Sequence, residues 1–60
     1  MQKYMLGVDD VCTILSVKAS KAYDIIRVLN RNLEKKGIMT VRGRVPRHYL
    51  YNAFGLEENE

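Results

Sequence analysis

Cysteine, proline, histidine and phenylalanine each occur once in this chain, and tryptophan does not occur. A lone thiol, Cys12, has no partner for an internal disulfide. One cysteine with one histidine, His48, is also too few for the four ligands a zinc site takes, so no metal or other cofactor is expected. Cys12 lies among apolar residues with no basic neighbour. It reads as a small core hydrophobe rather than a reactive thiol, and its free state suits a reducing compartment. The apolar runs are short. None approaches the ~20 residues of a membrane span, and residues 1–6 lack the long apolar stretch of a secretory signal. The expectation is a cytoplasmic protein with no membrane partner.

Catalytic groups are equally scarce. His48 stands between Arg47 and Tyr49 with no serine or cysteine at useful spacing. Asp9 and Asp10 are neighbours, and on a helix their side chains diverge by about 100°, too far to face each other across a substrate. Gly43 belongs to no glycine-rich loop before a helix, so no phosphate cradle is expected there. A chain of 60 residues also rarely encloses a pocket of the usual substrate volume. The chain is not expected to be an enzyme or to take a small-molecule substrate.

What the chain holds in quantity is positive charge in one region. The overall net charge is +3, but residues 17–48 carry nine bases against two acids, a local charge of +7. The acids gather at the ends, in Asp9 and Asp10 and in Glu57, Glu58 and Glu60. A basic middle between acidic ends is the sequence footprint of a polyanion-binding surface. The bland alternative is a lysine-rich helix that serves only solubility.

The size fits one small domain spanning residues 1–60, with residues 57–60 as a flexible acidic tail. Such a chain buries only ~60% of its unfolded surface, so its core is thin. Two acids in a first turn mark a helix start, and Val8, Val11, Cys12 and Leu15 share a face, with Ile14 beside them. A short helix over residues 8–15 follows. Ser16-Val17-Lys18 then reads as the turn of a helix-turn-helix, with Val17 tucked between two helices. Lys18 is a poor cap, and Ser20 offers an alternative start two residues later. The second helix runs to Lys36. Its apolar stripe is Ala22, Ile25, Ile26, Leu29 and Leu33, and Ser20, Asp24, Arg27 and Arg31 lie opposite. Gly37 closes it.

Ile38-Met39-Thr40-Val41 is short and apolar, Arg42-Gly43-Arg44 supplies a tight turn, and Val45 starts a return strand. The expectation is a two-stranded β-hairpin with two arginines at its tip. Pro46 ends the pairing and suits the first position of a third helix over residues 47–54, whose apolar side is Tyr49, Leu50, Ala53 and Phe54. Gly55 closes that helix and Leu56 packs back. The fold class is therefore mainly α with a small β-hairpin: a winged helix-turn-helix of three helices and a two-stranded wing.

In such a fold the second helix reads double-stranded DNA from the major groove with its N-terminal half. Ser20 and Arg27 reach base edges there, and arginine grips guanine through two hydrogen bonds. Lys18 and Lys21 meet flanking phosphates, and Ala19 lies between them on the same turn. Asp24 either accepts from a cytosine amino group or pairs with a basic neighbour. Tyr23 either meets a phosphate through its hydroxyl or packs on the third helix. The wing residues Arg42, Gly43 and Arg44 reach a neighbouring minor groove or its backbone, with Arg31 and Arg47 completing the basic set. Five to seven phosphate contacts give a log–log salt slope of roughly −5 to −6.

The stretch at residues 5–17 (MLGVDDVCTILSV), a helix, and then Gly43-Arg44-Val45-Pro46-Arg47-His48-Tyr49-Leu50 resembles the excisionase-like branch of the MerR-type winged helix-turn-helix proteins. The likeness covers nearly the whole chain. It departs at Gly7, where the family usually caps with Thr or Ser, at Cys12, usually alanine, and at Ser16, usually glycine; the second helix is also longer than most. The resemblance implies a non-catalytic DNA-binding accessory protein of a prophage or integrative element. Such proteins bind near recombination sites, often as several copies, bend the DNA and bias an integrase towards excision. The same fold also serves small transcriptional regulators. A reading from another class is a protein-interaction module, docking through exposed Val28 or the third helix.

Overall fold

The computed structural model describes residues 4–56. Residues 1–3 and the expected acidic tail at residues 57–60 lie outside the described residues. The elements run β1 (Met5–Leu6), α1 (Val8–Leu15), α2 (Ala19–Lys35), β2 (Val45–Pro46) and α3 (Arg47–Phe54). The fold is mainly helical, with three helices and one two-stranded antiparallel sheet, the architecture of a winged helix-turn-helix.

All three helices stop by the same device. After each comes a residue in the left-handed region: Ser16 at φ +57°, Gly37 at +83° and Gly55 at +67°. The next amide then reaches back five residues. Val17 N–H donates to the Cys12 carbonyl at 3.2 Å, Ile38 N–H to Leu33 at 3.0 Å, and Leu56 N–H to Tyr51 at 2.8 Å. These bonds close carbonyls that the helix itself leaves open. The start of α1 is weaker. Gly7 occupies the cap position and has no side chain to accept from the helix, so only the reverse half of a capping box forms: its N–H donates to Asp10 Oδ2 at 3.0 Å. At α2 the helix begins at Ala19 with Lys18 as an uncapping cap residue. Ser20 therefore lies inside the first turn and does not start the helix.

The core is where the three helices meet the sheet. Leu6, Val11, Ala22, Ile26, Leu29, Val45 and Leu50 form one buried cluster, and Leu33 is buried further along α2. Val17 packs against it from the α1–α2 turn, as do Val8, Cys12, Ile14, Leu15 and Ile25. Each fully buried aliphatic side chain, Ile26 and Leu50 among them, contributes about 1.5–3 kcal/mol by leaving water. On α3 the apolar side differs from the expectation. Leu50 is buried and Tyr49 and Tyr51 pack on the core, whereas Ala53 and Phe54 face solvent.

The pairing of the strands also differs from the hairpin expected at residues 38–45. Val45 pairs with Leu6 and Pro46 with Met5, so the partner of the wing's return strand is the segment before α1. Residues 38–41 take no strand pairing. They make the outgoing limb of a wing loop instead. The physical reason is at hand: Leu6 and Val45 both enter the core, at 4% and 0% exposure, while Ile38, Met39 and Val41 stay 46–95% exposed and would bury nothing by pairing. Arg47 N–H continues the ladder by donating to the Tyr4 carbonyl at 2.8 Å. This register puts Met5 and Pro46 at a non-hydrogen-bonded pair, where the N–H that proline lacks would point out of the ladder. Pro46 caps α3 rather than occupying its first turn.

Candidate nucleic-acid interface

The burial of α2 on one side determines what the other side presents. With Ala22, Ile26, Leu29 and Leu33 turned inwards, Lys18, Ala19, Ser20, Lys21, Asp24, Arg27 and Arg31 all stand exposed and Tyr23 is half-buried. Asp24 makes no ion pair among the described residues. No side chain caps the N-terminus of α2, so its first turn, flanked by Lys18 and Lys21, opens to solvent with a partial positive charge of its own.

Between α2 and the wing loop runs an open groove of about 680 Å³. Three arginines line it: Arg27 and Arg31, one turn apart on α2, and Arg42 from the wing. Tyr23 and Gly43 line the same groove. On α3 the Tyr49 ring lies 5.3 Å from Lys36 Nζ at the end of α2, a cation–π contact. The acidic residue in the groove, Glu34, accepts a hydrogen bond from Thr40 Oγ1 at 2.7 Å. Its carboxylate is thus engaged in holding the loop.

The wing itself ends in a tight turn. Arg44 N–H donates to the Val41 carbonyl at 3.1 Å, and Gly43 sits at φ +75°, a conformation that a turn of this kind assigns to glycine. The two arginines beside Gly43 part company. Arg42 lines the α2 groove, whereas Arg44 lines a smaller recess of about 250 Å³ with Gly7, Val8, Asp9 and Asp10. Its Nη1 lies 3.7 Å from where a Cβ on Gly7 would stand. Arg47 is half-buried in the first turn of α3, lining neither space. Of the twelve residues singled out from sequence, the structure brings five to the α2–wing groove: Tyr23, Arg27, Arg31, Arg42 and Gly43. Lys18, Ala19, Ser20, Lys21 and Asp24 continue the exposed surface of α2 towards its N-terminus.

One residue in this site was not anticipated. Asn30 is buried at 8% exposure, and its Nδ2 donates to the carbonyls of both Arg44 (2.8 Å) and Val41 (3.2 Å). The signal was in the periodicity. Asn30 falls four residues after Ile26 and three before Leu33, at the edge of the apolar stripe, where an amide needs a partner from another element.

The described residues hold no cluster of three histidine, cysteine or acidic side chains able to bind a metal, and no helix among them is long and apolar enough to cross a membrane.

Fold and surface together define a small winged helix-turn-helix whose second helix and wing enclose a basic groove. No family model matches the chain, and no solved structure matches it. A curated relative does: over 47 residues the chain is 43% identical to the ICEBs1 excisionase of Bacillus subtilis (strain 168), a match covering 78% of this chain and 73% of that protein. The chain belongs to the excisionases of mobile elements.

Proposed function

We propose that this protein binds double-stranded DNA as a non-catalytic recombination directionality factor of a prophage or integrative element, acting in the cytoplasm. One observation carries the DNA-binding reading: Arg27, Arg31 and Arg42 converge on a single open groove between a helix and a wing. The N-terminal half of α2 then enters the major groove, with Ser20, Asp24 and Arg27 at base edges and Lys18, Ala19 and Lys21 along the adjoining backbone. Arg31, Arg42 and Tyr23 meet the phosphates of the strand in the groove, Gly43 lets the wing tip approach the neighbouring minor groove, and Arg44 and Arg47 add charge around it. The excision role rests on the likeness to a protein that bears that name. It makes an integrase and further copies of this chain on DNA the expected protein partners.

A gel-shift titration across salt concentrations tests the binding. The slope of log affinity against log salt is expected at roughly −5 to −6, one condensed counterion per phosphate met. Retention of duplex that does not change with salt, or none at low salt, would sink this reading. The excision role is tested separately, by supplying the chain to its integrase on a substrate carrying both ends of the element. Excised product should rise, and it should stay at background with Arg27→Ala.

A further inference from the structure

We propose that Asn30 is a positioning residue for DNA binding, holding the wing turn on α2 so that Arg42 is fixed in register with Arg27 and Arg31. The inference rests on the DNA-binding reading of the groove and assigns to it a buried residue that acts through the wing.

The helix has no need of this asparagine. Position 30 continues the apolar stripe of Ile26, Leu29 and Leu33, and burying an amide there carries a desolvation cost that leucine would avoid. The hydrogen bonds run to the wing instead. Val41 and Arg44 are the first and last residues of the turn, and Nδ2 binds the carbonyls of both. Because the Arg44 N–H also closes on the Val41 carbonyl, the turn is locked at its base from inside and from the helix at once. Arg42 lies between the two anchored residues. Its backbone is therefore tied to the same helical turn that carries Arg27, three residues earlier, and Arg31, one residue later.

The second side-chain link, from Thr40 Oγ1 to Glu34 Oε2 at 2.7 Å, is exposed and lies one helical turn further on. Water competes for that bond, so the buried Asn30 contact is the stronger constraint. The remaining amide atom agrees with this division. Asn30 Oδ1 is buried and has no hydrogen-bond partner among the described residues, so the side chain is oriented by its two donors alone. A preformed wing loses less freedom on binding, which is how an anchor away from the ligand raises affinity.

The decisive substitution is Asn30→Asp. It keeps the shape and replaces the donating Nδ2 with a single oxygen facing two carbonyl oxygens. Two readouts follow, one without DNA. The Arg44 amide should exchange its hydrogen at least about ten-fold faster relative to the Ile26 amide, because the turn opens while the core holds. On duplex DNA, affinity should fall about ten-fold and the salt slope should become shallower by about 1, the share of one lost phosphate contact. Adding Arg42→Ala should then cost less than about three-fold, against about five- to ten-fold in the parent chain, as coupled residues require. Unchanged Arg44 exchange, or an equal loss from Arg42→Ala in both backgrounds, overturns the proposal. If Asn30→Asp does not fold, Asn30→Ser removes the double anchor with less charge in the core, and the same two readouts apply. Should the parent chain fail to bind duplex at all, the DNA reading falls, and the exchange measurement still decides whether Asn30 holds the wing.

Discussion

Ser16 carries a left-handed backbone, φ +57° and ψ +47°, at a position where glycine is the easy choice. Its side chain is exposed, so the strain is not repaid by packing. Ser16→Gly is expected to stabilise the fold by about 0.5–1 kcal/mol, the relief of strain being partly offset by the freer unfolded chain. That corresponds to a rise of about 2–8 °C in the thermal midpoint, measurable by circular dichroism. A lower midpoint would mean that the αL turn is not the constraint it looks to be. The arginines divide by where they stand. On the proposed reading Arg27 reads a base edge, so Arg27→Ala should cost about 1–3 kcal/mol of binding and relax preference at one base pair. The same reading gives Arg42 a backbone contact, so Arg42→Ala should weaken all duplexes alike and reduce the salt slope by about 1. Competition binding against a panel of single-base variants separates the two. Equal loss of sequence preference from both would erase the distinction.

At the scale of elements, the wing is built differently from a hairpin. Its return strand is stitched to the chain ahead of α1, so the first segment and the wing share one ladder. Pro46 sits at the non-hydrogen-bonded pair of that ladder, and replacing it restores an N–H that the ladder does not use. Pro46→Ala should therefore destabilise only through the greater entropy of the unfolded chain, by about 0.4–1 kcal/mol. Leu6→Ala, on the paired strand and 4% exposed, should cost about 2–5 kcal/mol through lost burial and a cavity. Denaturant titration of both variants orders them. If Pro46→Ala proves the more damaging, the register is wrong. The link between β1 and β2 also means that loss of Leu6 should disturb the wing, and with it the placement of Arg42, although the two residues lie 36 positions apart in the chain.

For the whole molecule, the local charge of +7 in residues 17–48 sets two salt effects of opposite sign. Crowded cations on α2 and the wing repel one another, and the described residues offer Arg27, Arg31 and Arg42 no ion pair within 4 Å. Added salt screens that repulsion, with a Debye length falling from about 10 Å at 0.1 M to 3 Å at 1 M. Raising the salt should therefore raise the thermal midpoint of the free protein while it weakens the complex with DNA. A midpoint that falls with salt would show that unseen attractions dominate the surface. The thin core makes the fold sensitive as well. Leu50 is fully buried from α3, and its truncation to alanine, at about 2–5 kcal/mol, approaches the whole stability expected of so small a chain.

The three helices were legible in the residues because their signals are local: the 3.6-residue stripe on α2, the acids opening α1, and Gly37 and Gly55 closing α2 and α3. Local signals also place the basic side chains of α2 on the face away from the core, and the excisionase resemblance drew on the same stretches. What the sequence could not determine was partnership between distant segments. Val45 pairs with Leu6 rather than with residues 38–41 because only that pairing buries two aliphatic side chains at once. Arg42 and Arg44, two residues apart, enter different spaces because the Gly43 turn sends them apart. Asn30 meets Val41 and Arg44 only when α2 and the wing lie side by side. Burial and satisfied hydrogen bonds across the fold are tertiary quantities, and they decided how the wing is held and which arginines share a groove.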